Sequence, residues 1–243
     1  MIRVGTAGWS IPKRYASRFP ATGSVLERYS QHFNIVEVNS SFYRPHRRTT
    51  YERWAASTPD TFGFAVKLPK TITHDRRLRE VTDLLNRFLE ETAGLGGKLD
   101  TILVQLPPSL EFSAALVNDF LTELRLSYSG TIACEPRHRT WFGDDAAAVL
   151  KVARVDLTAA DPPPCRGAPG WDAVPKPAYI RLHGAPEIYF SDYPLDVLAK
   201  LAERLASMSP DVAVTCIFDN TAAGAATENA LTLMRLLERS HGI

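Results

Sequence analysis

Cysteine is scarce in this chain of 243 residues, with only Cys134, Cys165 and Cys216. An odd number without C-x-x-C spacing speaks against a disulfide framework and against a cysteine-rich zinc site. Cys134 and Cys216 fall in strand-like runs and are expected to be buried, while Cys165 sits in the loop Pro162-Pro163-Pro164-Cys165 with nothing to mark it as a nucleophile. Long apolar runs are missing too: none reaches the ~20 residues that cross a bilayer. Met1 leads directly into a strand-like segment without a secretory pattern, so a cytoplasmic location and no membrane partner are expected. Excess charge is absent, with 28 basic against 27 acidic residues and a net charge of +1. Binding to polyanions by bulk electrostatics is thereby excluded, and any taste for anions must come from local clustering. Tight histidine spacings such as H-x-H or H-E-x-x-H do not occur, so no metal is expected. Gly5-Thr6-Ala7-Gly8 lacks the third glycine and acidic partner of a dinucleotide fingerprint, and no organic cofactor is expected. Internal repeats, low-complexity tracts and linkers are likewise missing, which leaves residues 1–243 as one domain.

What is there is an ordinary globular composition, 45% hydrophobic and 23% charged. Hydrophobic runs bounded by turn residues predict strands near 2–9, 35–40, 62–68, 101–106, 131–135, 152–157, 178–183 and 212–219. Three-and-four spacing predicts helices over 24–33, 77–95, 114–126, 194–206 and 225–239, with shorter ones at 50–56 and 144–150. Strand alternating with helix implies parallel pairing, since each helix is a crossover. Pro12, Pro45, Pro69, Pro107, Pro136, Pro162 and Pro186 punctuate the strand C-termini, where a residue without an amide hydrogen ends the ladder. Eight strands in ~250 residues match a single (β/α)8 TIM-type barrel of α/β class. An open doubly wound sheet is the alternative. One irregularity is expected: residues 159–177 are rich in Pro, Gly and Ala, so a loop replaces the sixth helix.

The most informative stretch is Asn34-Ile35-Val36-Glu37-Val38-Asn39-Ser40-Ser41-Phe42-Tyr43. On a strand, residues two apart share a face, so Val36 and Val38 point one way and Glu37 and Asn39 the other. Ala65 and Lys67, Glu135 and Arg137, and Arg181 and His183 repeat the arrangement. If the apolar set faces the helices, the polar set faces the barrel interior.

Val36-Glu37-Val38-Asn39-Ser40-Ser41-Phe42-Tyr43-Arg44, then Trp54, Phe64-Ala65-Val66-Lys67 and Ile72-Thr73-His74 with Leu78, resemble the domain-of-unknown-function 72 family, also called YecE-like. Gln105-Leu106-Pro107-Pro108, Glu135-Pro136-Arg137-His138 with Trp141, Tyr179-Ile180-Arg181-Leu182-His183-Gly184, and Asp219-Asn220-Thr221 with Asn229-Ala230 extend the resemblance over nearly the whole chain. It implies a TIM-type barrel and no established reaction. Pro136 and Asp219 depart from the pattern at two strand ends.

Given the barrel, alternation places Glu37, Asn39, Lys67, Gln105, Glu135, Arg137, Asp156, Arg181, His183, and Asp219 or Asn220 at the C-terminal mouth, with Trp9, Tyr43 and Trp141 as aromatic walls. So many buried ionisable groups must pair or meet a ligand. A self-satisfied network would pair Glu37 with Lys67 and Glu135 with Arg181. As catalytic residues, Glu37 and Glu135 would exchange protons, with a separation of ~5–9.5 Å if the chemistry were glycosidic. Lys67, Arg181 and His183 would stabilise negative charge, and Lys67 alternatively invites an imine. Asn39, Gln105, His74, Arg137, His138 and Asn220 would bind substrate alongside Trp9, Tyr43 and Trp141.

Lys13, Arg14, Arg18, Arg44, His46, Arg47, Arg48, Lys70, His74, Arg76, Arg77, Arg137, His138 and Arg139 all follow strand ends and would form a basic rim. The expected function is therefore an enzyme using side-chain acid/base catalysis on a small anionic or polyhydroxyl ligand, sugar- or phosphate-like. The alternative is a nucleic-acid-binding or phosphodiester-processing protein using that rim. A non-catalytic metabolite-binding barrel is the second alternative. The sequence does not fix the oligomeric state.

Overall fold

The computed structural model describes residues 1–175, 177–209 and 211–240. Nine parallel strands form two arcs. The first runs β1 (Ile2–Thr6), β9 (Val214–Phe218), β8 (Tyr179–Leu182), β7 (Ala159–Asp161); the second runs in sequence order through β2 (Ile35–Val38), β3 (Gly63–Lys67), β4 (Leu99–Gln105), β5 (Thr131–Glu135) and β6 (Asp156–Leu157). At one seam a parallel bridge joins Ala7 to Glu37, and the Gly8 amide donates to the Glu37 carbonyl at 2.8 Å. At the other, β6 pairs with β5, and the chain then crosses at Thr158 to pair as β7 with β8. The arcs together give the strand order of a TIM-type barrel, though the ladder is not continuous around it.

The strand predicted over 152–157 is corrected here. Val152 belongs to α5 (Asp144–Val152), and the sixth barrel position is split between the two residues of β6 and the three of β7. Ala159 and Ala160 carry no β-branched signal, which is why a loop was expected to begin at 159. Both are buried, and Ala160 lies in register with Arg181, where a small side chain leaves room for a guanidinium. Residues 162–175 then run without a helix, as the Pro/Gly/Ala composition predicts, and residue 176 lies outside the described residues.

The other helices are α1 (Val25–Ser30), α2 (Arg48–Ala56), α3 (Thr82–Thr92), α4 (Ala114–Ser127), α6 (Leu195–Ala206) and α7 (Ala225–Ser240). Ser24 and Glu27 form a capping box that satisfies two amides at the start of α1. The helix predicted over 77–95 begins five residues late, because Arg77, Leu78 and Glu80 take left-handed φ values of 52°, 67° and 51°. Leu78 is thereby buried, and the Arg77 guanidinium donates to Ser109.

Alternation sorts the strand side chains into two layers. Val36, Val66, Ile102, Val104, Ile132, Ile180 and Phe218 face outward, packing with Leu85, Phe88, Phe120, Leu198 and Leu233 of the helices. Each such side chain stabilises by ~1.5–3 kcal/mol when fully buried. Inside the barrel a second cluster comprises Ile35, Ala65, Leu103, Ala133, Tyr179 and Ile217, with Ala7 against it. It closes the floor beneath the next inward residues, two positions further along each strand. Cys134 and Cys216 are buried thiols of the outer layer.

Candidate functional site at the barrel mouth

Two residues beyond that floor come Glu37, Lys67, Gln105, Glu135, Arg181 and Asp219, with His183 and Arg137 two further. Arg181 is the hub. It is 0% exposed, and its planar fork reaches three strands at once. Nε donates to Glu37 Oε2 at 2.9 Å and Nη2 to Glu37 Oε1 at 2.8 Å, a bidentate pair. Nη1 donates to Glu135 Oε2 at 2.6 Å, and Nη2 also donates to Asp219 Oδ2 at 2.9 Å. The Tyr179 hydroxyl donates to Glu37 Oε2 at 2.9 Å, while Arg137 Nε and Nη2 donate to Glu135 Oε1 at 3.2 and 3.0 Å.

Burial opposes the charge on Glu135, Asp219, Arg181, Arg137 and His183, and their partners outweigh it. Glu135 is held well below the usual carboxylate range by Arg181 and His183 despite its burial, and Asp219 is lowered by Arg181 and His183 against the same penalty. His183 would be pushed down by burial, but Glu135 and Asp219 raise it above the ordinary imidazole value. Its Nδ1 lies 3.0 Å from Asp219 Oδ2, whereas Nε2 lies 3.4 Å from Glu135 Oε1, within ion-pair distance but without a hydrogen bond.

Of the two pairs expected from sequence, Glu135 with Arg181 forms and Glu37 with Lys67 does not. Arg181, not Lys67, occupies both oxygens of Glu37. Lys67 has no hydrogen bond or ion pair within 4 Å among the described residues, and its Nζ sits 4.1 Å from the centre of the Phe42 ring. Burial and the Arg181 charge bring its pKa down to about 8, with Glu37, Glu135 and Asp219 only partly offsetting them.

Other expected ligand-binding residues divide. Asn39 is at the mouth with its Oδ1 buried and unpartnered, and Gln105 is buried beside Glu135 in register. His74, on the π-helical turn Thr71–Asp75 after β3, has its pKa lowered by burial, Lys67 and Arg137, and its Nδ1 lies 2.8 Å from the Thr73 hydroxyl. Trp141 is not a wall: it is 2% exposed in the outer core, and its indole donates to the Leu110 carbonyl at 2.9 Å. Tyr43 is 76% exposed, and Trp9 packs edge-on against Trp54 with centroids 4.9 Å apart, outside the bowl. His138 turns toward Thr140, with its Nδ1 at 2.9 Å from the hydroxyl. Asn220 faces outward, donating to the Ser191 carbonyl and to Asn229 Oδ1, so it braces the loop after β8. Asp156 is at the opposite end of the barrel with Thr131 and Thr215, because its strand begins rather than ends there.

Tyr189 was missed. Its ring stands edge-on over His183 at 5.8 Å, flanked by exposed Ile188 and Phe190. The signal was available in the run Ile188-Tyr189-Phe190 just past a strand ending in His183, apolar residues where a turn calls for polar ones. Much of the basic rim is paired locally: Arg18 with Glu228, Arg48 with Glu52, Lys70 with Asp75 and Arg76 with Glu80. Among the described residues no three His, Cys, Asp or Glu side chains come together as a metal cage would, and no helix is long and apolar enough to cross a membrane. A cavity of about 660 Å³, mostly apolar and lined by Ile2, Val4, Val214 and Met234, lies at the end of the barrel away from these groups.

Parallel strands, several of which deliver an ionisable side chain to one end of a helix-wrapped cylinder, define a TIM-type α/β barrel with a charged mouth. The chain belongs to the family described as "Protein of unknown function DUF72", whose model matches residues 3–243. It is 37% identical to the UPF0759 protein YecE of Escherichia coli K12 over 107 residues, 44% of this chain and 38% of YecE. It is 31% identical to the UPF0759 protein YunF of Bacillus subtilis 168 over 151 residues, 58% of this chain and 52% of YunF. The matches thus span well under two thirds of either relative. The crystal structure of a DUF72 family protein (TM1631) from Thermotoga maritima MSB8 is 27% identical, covers 98% of this chain and 99% of that one, and superposes with a TM-score of 0.81.

The shifted groups give stability a defined pH dependence. His183, raised on folding, contributes fully below the unfolded histidine value of ~6.5 and loses its contribution as pH rises through its folded value. Glu135 and Asp219, lowered on folding, contribute fully above ~4.5 and lose it as pH falls. Lys67 is lowered to about 8, so above that pH its discharge favours folding. Urea midpoints should therefore peak near pH 5–6.5 and decline toward pH 8, and His183→Asn should flatten the alkaline limb and reduce the acid one without abolishing it, since Arg181 still lowers both carboxylates. Midpoints that climb steadily from pH 6 to 8 would contradict this assignment.

Proposed function

We propose that the chain is an enzyme that moves protons with its own side chains on a small anionic or polyhydroxyl ligand, sugar- or phosphate-like, at the C-terminal mouth. One observation carries the reading: after the Arg181 network is complete, polar groups in the same bowl are left over. His183 Nε2 and Asn39 Oδ1 are buried without hydrogen bonds, and Lys67 Nζ has neither a hydrogen bond nor an ion pair among the described residues. A purely structural network would use its own donors and acceptors, because an unsatisfied buried polar atom costs ~1–3 kcal/mol.

His183, oriented by Asp219, is the proton-transfer group, and Glu135 beside Nε2 favours its charged form. The proton exchange read from sequence for Glu37 passes to His183, since both Glu37 oxygens are already engaged and the residue is fully buried. Glu37 positions Arg181. Lys67 and Arg137 attract negative charge, Asn39 and Gln105 orient the ligand, and Tyr189 covers it. The rim's local pairing makes the nucleic-acid reading the weaker one.

A thermal-shift screen with sugar phosphates and small hydroxy acids should find ligands that stabilise the protein by ~2.7 kcal/mol at a hundred times Kd. The same ligands should lose their effect on His183→Asn and bind with altered affinity to Glu135→Gln. No small-ligand shift, together with salt-sensitive binding of random oligonucleotides, would replace this reading with the nucleic-acid one. Binding without turnover in any assay of the ligands found would leave a metabolite sensor.

A further inference from the structure

Lys67 carries an inference that rests on the reading of the mouth as a small-ligand site and goes further into its chemistry. A lysine at the end of an inward strand face is ordinarily explained by a carboxylate partner. Here that explanation fails on geometry: Arg181 and Tyr179 engage both oxygens of Glu37, and Arg181 and Arg137 both oxygens of Glu135. No carboxylate oxygen comes within 4 Å of Nζ among the described residues. Instead the amine lies against the ring of Phe42, which His74 meets edge-on at 4.9 Å, and the residue keeps 5% exposure.

We propose that Lys67 attacks the carbonyl carbon of the ligand to form an imine, so the substrate is an aldehyde or ketone that also carries hydroxyl or anionic groups. The neutral amine forms the C–N bond while the carbonyl π pair passes to oxygen, which takes up a proton as the new ammonium nitrogen gives one up. The resulting carbinolamine loses its hydroxyl group, with a second proton, as water and leaves the iminium. In total an amine, a carbonyl and one proton give an iminium and one water. His183, whose Nε2 in the same bowl makes no hydrogen bond, is the acid suited to protonate the departing oxygen. The groups that face Lys67 fix its charge state: Arg181 and burial favour the neutral amine, Glu37, Glu135 and Asp219 the ammonium, and the balance at about 8 leaves a usable neutral fraction at neutral pH.

The test is reductive trapping with cyanoborohydride at pH 7.5, using glycolaldehyde and dihydroxyacetone phosphate as probes and peptide mapping of all seven lysines. Expected is one adduct per chain on Lys67, formed at least about tenfold faster than on any other lysine, since an amine titrating near 8 rather than 10.5 is far more often neutral. Lys67→Arg, which keeps the charge and the fold, should abolish that adduct, and Lys70→Arg at the exposed neighbouring position should not. Modification confined to the surface lysines, or an undiminished fast adduct in Lys67→Arg, overturns the proposal. If small ligands still stabilise the protein in that case, the acid/base reading stands without the covalent step; if they do not, both fall.

Discussion

Arg181→Met should cost ~3–5 kcal/mol of folding stability at pH 7, enough to leave a domain of ordinary stability partly unfolded at room temperature. The methionine fills most of the volume, so the loss is electrostatic. Glu37, Glu135 and Asp219 would be left inside the barrel with only Arg137 and His183 as nearby paired cations. Removing one member of a buried ionic group is much worse than never having built it, because the survivors keep their desolvation cost. Arg181→Lys should also be damaging, since one ammonium cannot match three carboxylates through a planar fork. The signature that separates this cause from lost packing is acid rescue. As Glu135 and Asp219 take up protons in acid, the difference in urea midpoint between Arg181→Met and the wild type should shrink. A loss under ~1 kcal/mol, or one that does not depend on pH, would show that the hub does not hold the mouth together.

Gly5→Ala should be nearly as severe, although only a methyl group is added. A Cβ at this position would overlap the Ile35 carbonyl oxygen across the seam where β1 meets β2, and backbone cannot swing aside as a side-chain tip does. The Ile35 carbonyl is itself engaged, accepting from the buried Tyr29 hydroxyl at 3.2 Å. Overpacking of a tight interior costs 1–3 kcal/mol, and the upper end or beyond applies when the obstacle is main chain. Soluble yield and urea midpoint should both fall, whereas Gly97→Ala, with nothing within 4 Å of the added carbon, should be neutral or slightly stabilising. A normal midpoint for Gly5→Ala would mean that the seam can open without loss.

Gly5 also illustrates how local sequence can mislead. Within Gly5-Thr6-Ala7-Gly8 it reads as part of an incomplete nucleotide loop, and that reading was set aside for want of a third glycine. Its purpose is instead the close approach of two strands that lie thirty residues apart in sequence. Trp141 is the reverse case. It follows a strand end, as a mouth residue should, yet its indole turns into the outer core to reach Leu110. An aromatic residue after a strand is equally at home in either place, and only the packing of α4 and α5 chooses between them.

The sequence by itself determined the strands, their parallel sense, and which side chains share the barrel interior, because a period of two is a property of extended backbone and needs no partner. On that ground Glu37, Lys67, Glu135, Arg181 and His183 were all assigned to one hollow, and all are there. Which of these charges would meet was decided only by tertiary structure. Glu37 and Arg181 are 144 residues apart, and their bidentate pairing depends on the stagger between distant strands and on the reach of a guanidinium, quantities that no stretch of sequence contains. The same closure left Lys67 Nζ with no carboxylate oxygen within 4 Å among the described residues and His183 Nε2 without a hydrogen bond, because the carboxylates are drawn toward the guanidinium groups of Arg181 and Arg137.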